Sequence, residues 1–250
     1  MHAMTSTLSG PSGEPRDVGS SESPGRELPA RARSQILTAR ARILEGFGDD
    51  LEPVNGLRTD TRRQVVIAAI DLFGRKGFEA CTMRDLAAVA DIKAPSLYNH
   101  FSSKERILAE AVLYAFGRFF HAVLGPLDDE PSGDWLEGIV RRHTLFQVEH
   151  PELARTNELI LLDEQRIDNL AAEDADRISA MRSHYASILE ALIRARTGWR
   201  SEKRLLVASG AVAAICDRFG GNVRPPASLS AEQTASYNWD LVDRMLPVRD

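Results

Sequence analysis

The chain has 250 residues, of which 43% are hydrophobic, and its formal net charge at pH 7 is −5. This length can bury one or two hydrophobic cores. Two cysteines are too few for a disulfide framework, which favours a cytoplasmic location. The longest apolar run, residues 205–216, is too short to span a bilayer, so no membrane partner is expected.

The first 30 residues are rich in serine, glycine and proline, and they lack the basic-then-apolar order of a signal peptide. Such a composition buries too little apolar surface to fold, so residues 1–30 are predicted to be a disordered tail. Residues 31–56 form a basic extension, in which a helix predicted at 34–47 is followed by a linker with Gly, Pro and Asn.

Charge is distributed unevenly along the chain. Residues 31–106 contain 13 Lys and Arg against 10 Asp and Glu, a balance of +3, whereas residues 107–250 contain 16 against 22, a balance of −6. The basic surplus therefore lies in one segment, which points toward an anionic partner for that segment.

Four helices are predicted in the next part of the chain, at 61–77, 82–90, 94–100 and 103–124. Apolar residues recur at helical spacing in the first, and Gly77 supplies its stop. Thr82 is the expected N-cap of the second, with Asp85 in its first turn. Ser103 caps the fourth helix, which carries one apolar stripe.

The two short helices and the three-residue turn between them have the size and separation of a helix-turn-helix unit. In such a unit the second helix lies in the major groove of DNA. Leu97 and Phe101 are expected to be buried, which turns the polar side chains between and beside them outward. The hydroxyl of Tyr98 and the imidazole of His100 can then donate to phosphates, while Ser96 and Asn99 can read base edges. The side chains expected to face the duplex are Ser96, Tyr98, Asn99, His100 and Lys104.

The stretch FEACTMRDLAAVADIKAPSLYNHFSSKERIL resembles the DNA-binding domain of TetR-family transcriptional repressors over about residues 61–107. The matching positions are Thr82, Arg84, Leu86, Ala87, Ala90, Leu97, Tyr98, His100, Phe101, Ser103, Lys104 and Glu105. The resemblance implies DNA contacts at Thr82, Arg84, Pro95, Ser96, Tyr98, Asn99, His100 and Lys104.

Two positions depart from the family pattern. Asp91 stands where the turn usually has glycine, and aspartate adopts the left-handed conformation less freely than glycine does. Lys93 stands where a capping serine is common, so the recognition helix is expected to lose its cap and gain a phosphate contact.

The rest of the chain is predicted to be helical at 134–149, 151–163, 168–198, 201–220 and 230–246. The helix at 201–220 is apolar almost all round, so it must be covered, and a second subunit is a natural cover. The fold class is therefore all-α, with a three-helix DNA-binding domain at 57–107 and a helical ligand-binding and dimerisation domain at 108–250.

The resemblance further implies that the last two helices pair in a homodimer and that the helices before them enclose a small-molecule effector. The order HPELARTNELILLDEQ before a long helix is similar to members that sense acyl-CoA thioesters. The residues that we assign to ligand binding are Phe116, Phe120, Arg142, Phe146, Arg166 and Tyr185, for each of which plain packing or solvation is the alternative.

The sequence therefore predicts a repressor that binds palindromic double-stranded operator DNA as a homodimer. Two alternatives stay open, namely a transcriptional activator and a helical interaction module with the same fold. No enzyme is expected, because we find no phosphate loop, nucleophile elbow or credible carboxylate pair. No cofactor is expected, and the spacing of His143 and His150 is poor for a metal site.

One alternative concerns the basic extension at 31–47. Its arginines could form an arm that enters the minor groove of DNA. They could also lie on an extra helix that packs on its own subunit, and we favour this second interpretation.

Overall fold

The computed structural model describes residues 27–47, 61–161, 167, 169–219 and 225–248. Most of the predicted tail, the predicted linker at 48–56 and the predicted ligand residue Arg166 lie outside the described residues. Within these ranges the secondary structure is helical and no strand occurs, which confirms the all-α prediction.

Ten α-helices make up the described part of the chain. Their bounds are α1 Ala30–Glu45, α2 Thr61–Lys76, α3 Met83–Val89, α4 Ala94–His100, α5 Lys104–Leu124, α6 Trp135–Glu149, α7 Pro151–Leu161, α8 Ala172–Thr197, α9 Glu202–Asp217 and α10 Ala231–Met245. Two short 3₁₀ helices, Gly125–Asp128 and Ser132–Asp134, lie between α5 and α6. The largest errors in a predicted start are four residues, at α1, which begins directly after Pro29 and before its first buried apolar residue, and at α8, which begins later than predicted.

Helices α2 to α4 form a small N-terminal head whose local structure follows from its caps. Thr82 and Asp85 form a capping box at the start of α3, in which each side chain accepts a hydrogen bond from the other's backbone amide. Ser103 accepts from the amide of Arg106 and so caps α5. The interior of the head is closed by Leu86 and Leu97, which are both fully buried.

Helix α5 joins the head to the rest of the molecule. It is long and apolar enough to cross a membrane by length and composition alone, but 72% of its most apolar stretch is buried inside the fold. Both α2 of the head and α6 and α7 of the C-terminal part pack on it. It is therefore the core helix on which both parts of the chain are built.

Helix α1 packs on the C-terminal part of its own chain, along α8 and against α5. Ile36 and Ile43 are its buried anchors. The guanidinium of Arg40 donates to the carbonyl oxygens of Leu124 and Gly125 at 2.7 and 2.8 Å and pairs with Asp128 at 2.9 Å. Arg40 thus satisfies carbonyl groups that the end of α5 leaves open.

A chain of ion pairs connects the head with α8. Arg62 of α2 pairs with Glu110 of α5, which also accepts from Arg106 at 3.2 Å. Arg106 in turn pairs with Asp174 in the first turn of α8, a carboxylate that is buried. The carboxylates are the more buried partners, at 19% exposure for Glu110 and 8% for Asp174, whereas both arginines are more than a third exposed. Losing an arginine would leave such a carboxylate without its counter-charge, so the four side chains favour one position of the head relative to α8.

Helix α9 is more one-sided than its sequence indicated. Leu205, Ala208 and Val212 face the interior, whereas Leu206 and Val207 are 62% and 72% exposed. Tyr237 and Leu241 of α10 add two more exposed apolar side chains. We call these four side chains the apolar face; they are Leu206, Val207, Tyr237 and Leu241.

Prediction: replacing Arg40 by methionine keeps the apolar stem of the side chain but removes three polar contacts at the end of α5. Because charged donors to buried acceptors contribute about 1.5–3 kcal/mol, we expect the free energy of unfolding in urea to fall by about 2 kcal/mol. The control is Arg42→Met, which changes an exposed arginine on the same helix. Equal effects of the two substitutions would contradict this account of α1.

Candidate nucleic-acid interface and ligand site

The second short helix, α4, presents polar side chains to solvent from an apolar base. Leu97 and Phe101 are 0% and 1% exposed, as predicted, because they close the core of the head. Tyr98 is 57% exposed, and Asn99 beside it is exposed as well. An exposed tyrosine and asparagine on a rigid helix form a surface that can meet a nucleic acid.

The turn between α3 and α4 contains the two departures noted in the sequence. Asp91 has a φ of 54° and is the one described residue other than glycine with a positive φ. Aspartate there costs more than glycine, since only glycine adopts this region freely. Lys93 is the N-cap of α4 and makes no side-chain cap, so the amide groups at this helix start lack a side-chain acceptor.

The other residues predicted to contact DNA differ in their exposure and in the contacts that they already make. Arg84, Lys93 and Pro95 are exposed, while Ser96 and His100 are half-buried. The hydroxyl of Thr82 is 2.9 Å from Asp85, within the capping box. The ammonium of Lys104 donates to the carbonyl oxygen of Phe78 at 3.0 Å and lies 4.2 Å from the centre of that ring. Lys104 therefore also holds the loop before α3, a role the sequence did not indicate.

Arg62 is a residue of this surface that the sequence interpretation missed. It donates to the carbonyl oxygen of His100 at 2.6 Å and lies over the ring of Phe101 at 4.5 Å. Its guanidinium therefore fixes the C-terminal end of α4. No local pattern pointed to it, because His100 is 38 residues further along the chain.

Four of the predicted ligand residues come together in the C-terminal part. Phe116 and Phe120 of α5, Phe146 of α6 and Tyr185 of α8 are all buried, and Phe119 lies among them. Ring centres within this group are 5.1–5.8 Å apart, which is contact distance for edge and offset arrangements. We call these five residues the aromatic cluster.

A polar group lies against the aromatic cluster and was not recognised as a ligand candidate from the sequence. His143 of α6 is buried, with its ring centre 4.6 Å from that of Phe119. Its Nδ1 is 3.0 Å from the Tyr185 hydroxyl, and its Nε2 is 2.8 Å from Asp217 at the end of α9. Gln147, one helical turn later, donates to the same carboxylate at 2.5 Å.

Two opposing effects act on His143. Burial lowers the pKa of its imidazole, but the negative charge of Asp217 raises it, and the net result is a pKa of about 10. At neutral pH the group is therefore an imidazolium ion paired with a carboxylate. Burial raises the pKa of the Tyr185 hydroxyl well above its ordinary value, so this group keeps its proton.

The predicted ligand residue Arg142 has a different environment. Its guanidinium donates to the carbonyl oxygen of Val123 at 2.8 Å and pairs with Glu130. These contacts direct its charge to the end of α5 and the segment that follows it. Among the described residues, no group of three or more His, Cys, Asp and Glu is arranged to hold a metal ion.

Comparison with known proteins supports the interpretation of the head. Residues 66–111 match the family model described as bacterial regulatory proteins, tetR family. The HTH-type transcriptional repressor KstR2 of Mycolicibacterium smegmatis is 30% identical over 112 residues, which are 41% of this chain and 54% of that relative. The biofilm operon negative transcriptional regulator IcaR of Staphylococcus epidermidis is 36% identical over 73 residues, or 29% and 40%.

The chain carries a TetR-family DNA-binding segment at residues 66–111. It spans about half the length, or less, of the curated relatives that it matches. The sequence resemblance to this family is confirmed over the head.

Solved structures show that the likeness in fold extends beyond the head. A tetR-family regulatory protein from Rhodococcus RHA1 has a TM-score of 0.65 at 19% identity, covering 77% of this chain and all of that one. AibR in complex with isovaleryl coenzyme A and operator DNA has a TM-score of 0.62 at 21% identity, covering 76% and 100%. At these identities the likeness is one of fold, and it includes the C-terminal helices of this chain.

Prediction: Lys93→Ser supplies the missing cap of the recognition helix and removes a positive charge. We expect the free energy of unfolding to rise by about 0.5 kcal/mol, because a serine hydroxyl at the N-cap accepts from the Ser96 amide, which otherwise donates only to the Lys93 carbonyl at 2.9 Å. The matched control is Lys93→Ala, which removes the same charge without adding a cap. Circular dichroism during urea unfolding measures both, and equal stability of the two variants would contradict the cap argument.

Proposed function

We propose that this TetR-family chain is a transcriptional repressor that binds palindromic operator DNA as a homodimer and releases it on binding a small-molecule effector. The observation that carries the proposal is the exposed polar surface of α4, held by buried Leu97 and Phe101 in a head that matches the family model. Such a regulator acts in the cytoplasm, where the DNA is.

On the DNA side, six of the nine predicted contacts have a proposed physical role. Tyr98 and His100 donate to phosphates, and Lys93 and Arg84 add positive charge beside them, which makes binding dependent on salt. Asn99 and Ser96 are the candidates for reading base edges in the major groove. Arg62 contributes indirectly, since it fixes the end of the helix that carries these residues.

The homodimer is proposed from the apolar face. Four large apolar side chains that are each more than half exposed would be costly to leave in water, and two adjacent helices carry all of them. Gly210 lies on the exposed side of α9 with open space around it, so a second helix can approach closely there. A symmetric dimer brings the same patch of two chains together and places two heads for two half-sites.

The effector is proposed to bind at the aromatic cluster. Phe116, Phe119 and Phe120 lie on α5, the same helix that α2 of the head packs on. A ligand that displaces these rings acts directly on the helix that positions the DNA-reading surface. By linkage, operator DNA must then weaken effector binding by the same factor.

That the effector is an acyl-CoA thioester stays a prediction, and the described side chains provide little support for it. A coenzyme A thioester needs cations near its phosphates. Arg142 is paired with Glu130, and Arg166 is outside the described residues. The AibR complex contains isovaleryl coenzyme A and operator DNA, but it shares only the fold with this chain.

The experiment that tests the function is selection of bound sequences from a random duplex pool at several salt concentrations. A homodimeric repressor enriches a palindrome with half-sites about one helical turn apart. Weak, salt-dependent retention without an enriched sequence would instead favour a helical interaction module. Placing the selected site relative to a promoter separates a repressor from an activator.

Prediction: Tyr98→Ala weakens binding to the selected operator at least tenfold without unfolding the protein. The side chain is 57% exposed, so its loss removes a contact to the duplex and little packing. Binding is measured by gel shift and folding by a thermal melt, with Gln35→Ala on α1 as the control. Unchanged operator affinity would show that α4 does not carry the interface.

Prediction: Leu206→Asp converts the homodimer to a monomer, because it introduces a charge into an interface that depends on apolar burial. Light scattering after size-exclusion chromatography measures the mass. Ile67→Asp on α2 is the matched control, since Ile67 is also an exposed apolar residue but lies outside the apolar face. A dimer that survives Leu206→Asp would place the interface elsewhere.

A further inference from the structure

We propose that the effector is an uncharged ring compound that carries a hydroxyl group, and that Tyr185 and Gln147 bind this hydroxyl. The inference rests on the proposed function in one respect, namely that a ligand binds at the aromatic cluster. It adds the chemical class of that ligand and the two residues that select it.

The apolar part of the ligand is inferred from the rings. The five side chains of the aromatic cluster present faces and edges that suit another ring, and they are stacked or in edge contact at 5.1–5.8 Å. Since they already touch each other, a ligand enters by displacing rings. The ligand must therefore replace the lost contacts between these side chains with contacts from a ring of its own.

The charges beside the rings are already balanced. The imidazolium of His143 is held by the carboxylate of Asp217 at 2.8 Å, so the pair carries no net charge. Arg142, a cation on the same helix, is directed to Val123 and Glu130. The buried Nη2 of Arg142 makes no hydrogen bond among the described residues, but its charge is balanced by Glu130. A charged ligand head would therefore meet no cation that lacks a carboxylate partner among these groups, and it would lose its hydration, which is costly.

Among the described residues, two buried hydrogen-bonding groups next to this pair lack a partner. Gln147 is 6% exposed, and its Oε1 accepts no hydrogen bond from a described residue, although its Nε2 donates to Asp217. Because a protonated His143 donates from Nδ1, the Tyr185 oxygen acts as the acceptor there. The Tyr185 O–H then has no acceptor of its own among the contacts of the described residues.

A hydroxyl group fits this combination. It donates one hydrogen bond and accepts two, so it can donate to Gln147 and accept from Tyr185. A hydrocarbon would leave both groups unpaired, and an unpaired buried polar group costs free energy. A carboxylate can only accept, and it would be repelled by Asp217. The two selecting residues lie beside the same imidazole, with the Tyr185 hydroxyl 3.0 Å from Nδ1 and Gln147 Nε2 3.2 Å from Nε2.

The test compares three probes of nearly equal shape: 4-methylphenol, para-xylene and 4-methylbenzoate. The full chain is melted with each probe at the same millimolar concentration, and the rise in Tm reports binding to the folded state. We expect the largest rise with 4-methylphenol, corresponding to about tenfold tighter binding than para-xylene, and the smallest with 4-methylbenzoate.

Variants assign the preference to the residues. In Tyr185→Phe, the advantage of 4-methylphenol over para-xylene is expected to shrink about fivefold, and Gln147→Met is expected to act in the same way. Tyr114→Phe removes the same hydroxyl from a tyrosine outside the aromatic cluster and should leave the advantage unchanged. Gln147→Met keeps the test decisive if Tyr185→Phe folds poorly.

Several results would overturn the inference. These are equal shifts with 4-methylphenol and para-xylene, a preference for 4-methylbenzoate, or no shift with any probe. Equal shifts would mean that the two polar groups are satisfied by water. None of these measurements uses DNA. Their outcome is therefore independent of the operator selection, which is carried out on the same protein preparation.

Discussion

The rest of the structure depends on the burial of one helix. Helix α5 is an element of the head at its start and of the C-terminal core along the rest of its length. A helix that is buried on so many sides cannot shift without disturbing both groups of neighbours, since protein interiors are close-packed. Its ends are held as well, by Ser103 at the start and by Arg40 at its last carbonyl groups.

This sharing would give the proposed coupling between the effector site and the DNA-reading surface a physical basis. The aromatic cluster takes three of its rings from α5, and α2 of the head packs on the same helix. The ion pairs from Arg62 through Glu110 and Arg106 to Asp174 add a second connection. Ion pairs whose carboxylates are mostly buried contribute little net stability but disfavour arrangements in which a carboxylate is left alone. Contacts of this kind would keep two arrangements of the head distinct.

The recognition unit shows local costs that its tertiary contacts offset. Asp91 occupies a left-handed conformation that favours glycine, and α4 begins without a side-chain cap. A seven-residue helix is too short to be stable by itself. It is held instead by burial of Leu97 and Phe101 and by the bond from Arg62 to its C-terminal end. Strained or uncapped positions beside exposed polar residues are typical of functional surfaces.

By itself the sequence determined the helical class, the positions of the ten helices within a few residues, and the helix-turn-helix. These features are local: apolar spacing, the caps Thr82 and Ser103, and the stop at Gly77 are all encoded within a few neighbouring residues. The sequence also predicted four members of the aromatic cluster, because large apolar side chains on the apolar faces of predicted helices are expected to be buried. Only the tertiary structure decided that His143 contacts Tyr185 and Asp217. These two residues follow His143 by 42 and 74 positions, and no spacing rule connects residues so far apart in the chain. The tertiary structure likewise decided that Lys104 and Arg62 support the head and that α1 packs along α8. Long charged side chains find their partners by proximity in space, so they leave no periodic signal in the sequence.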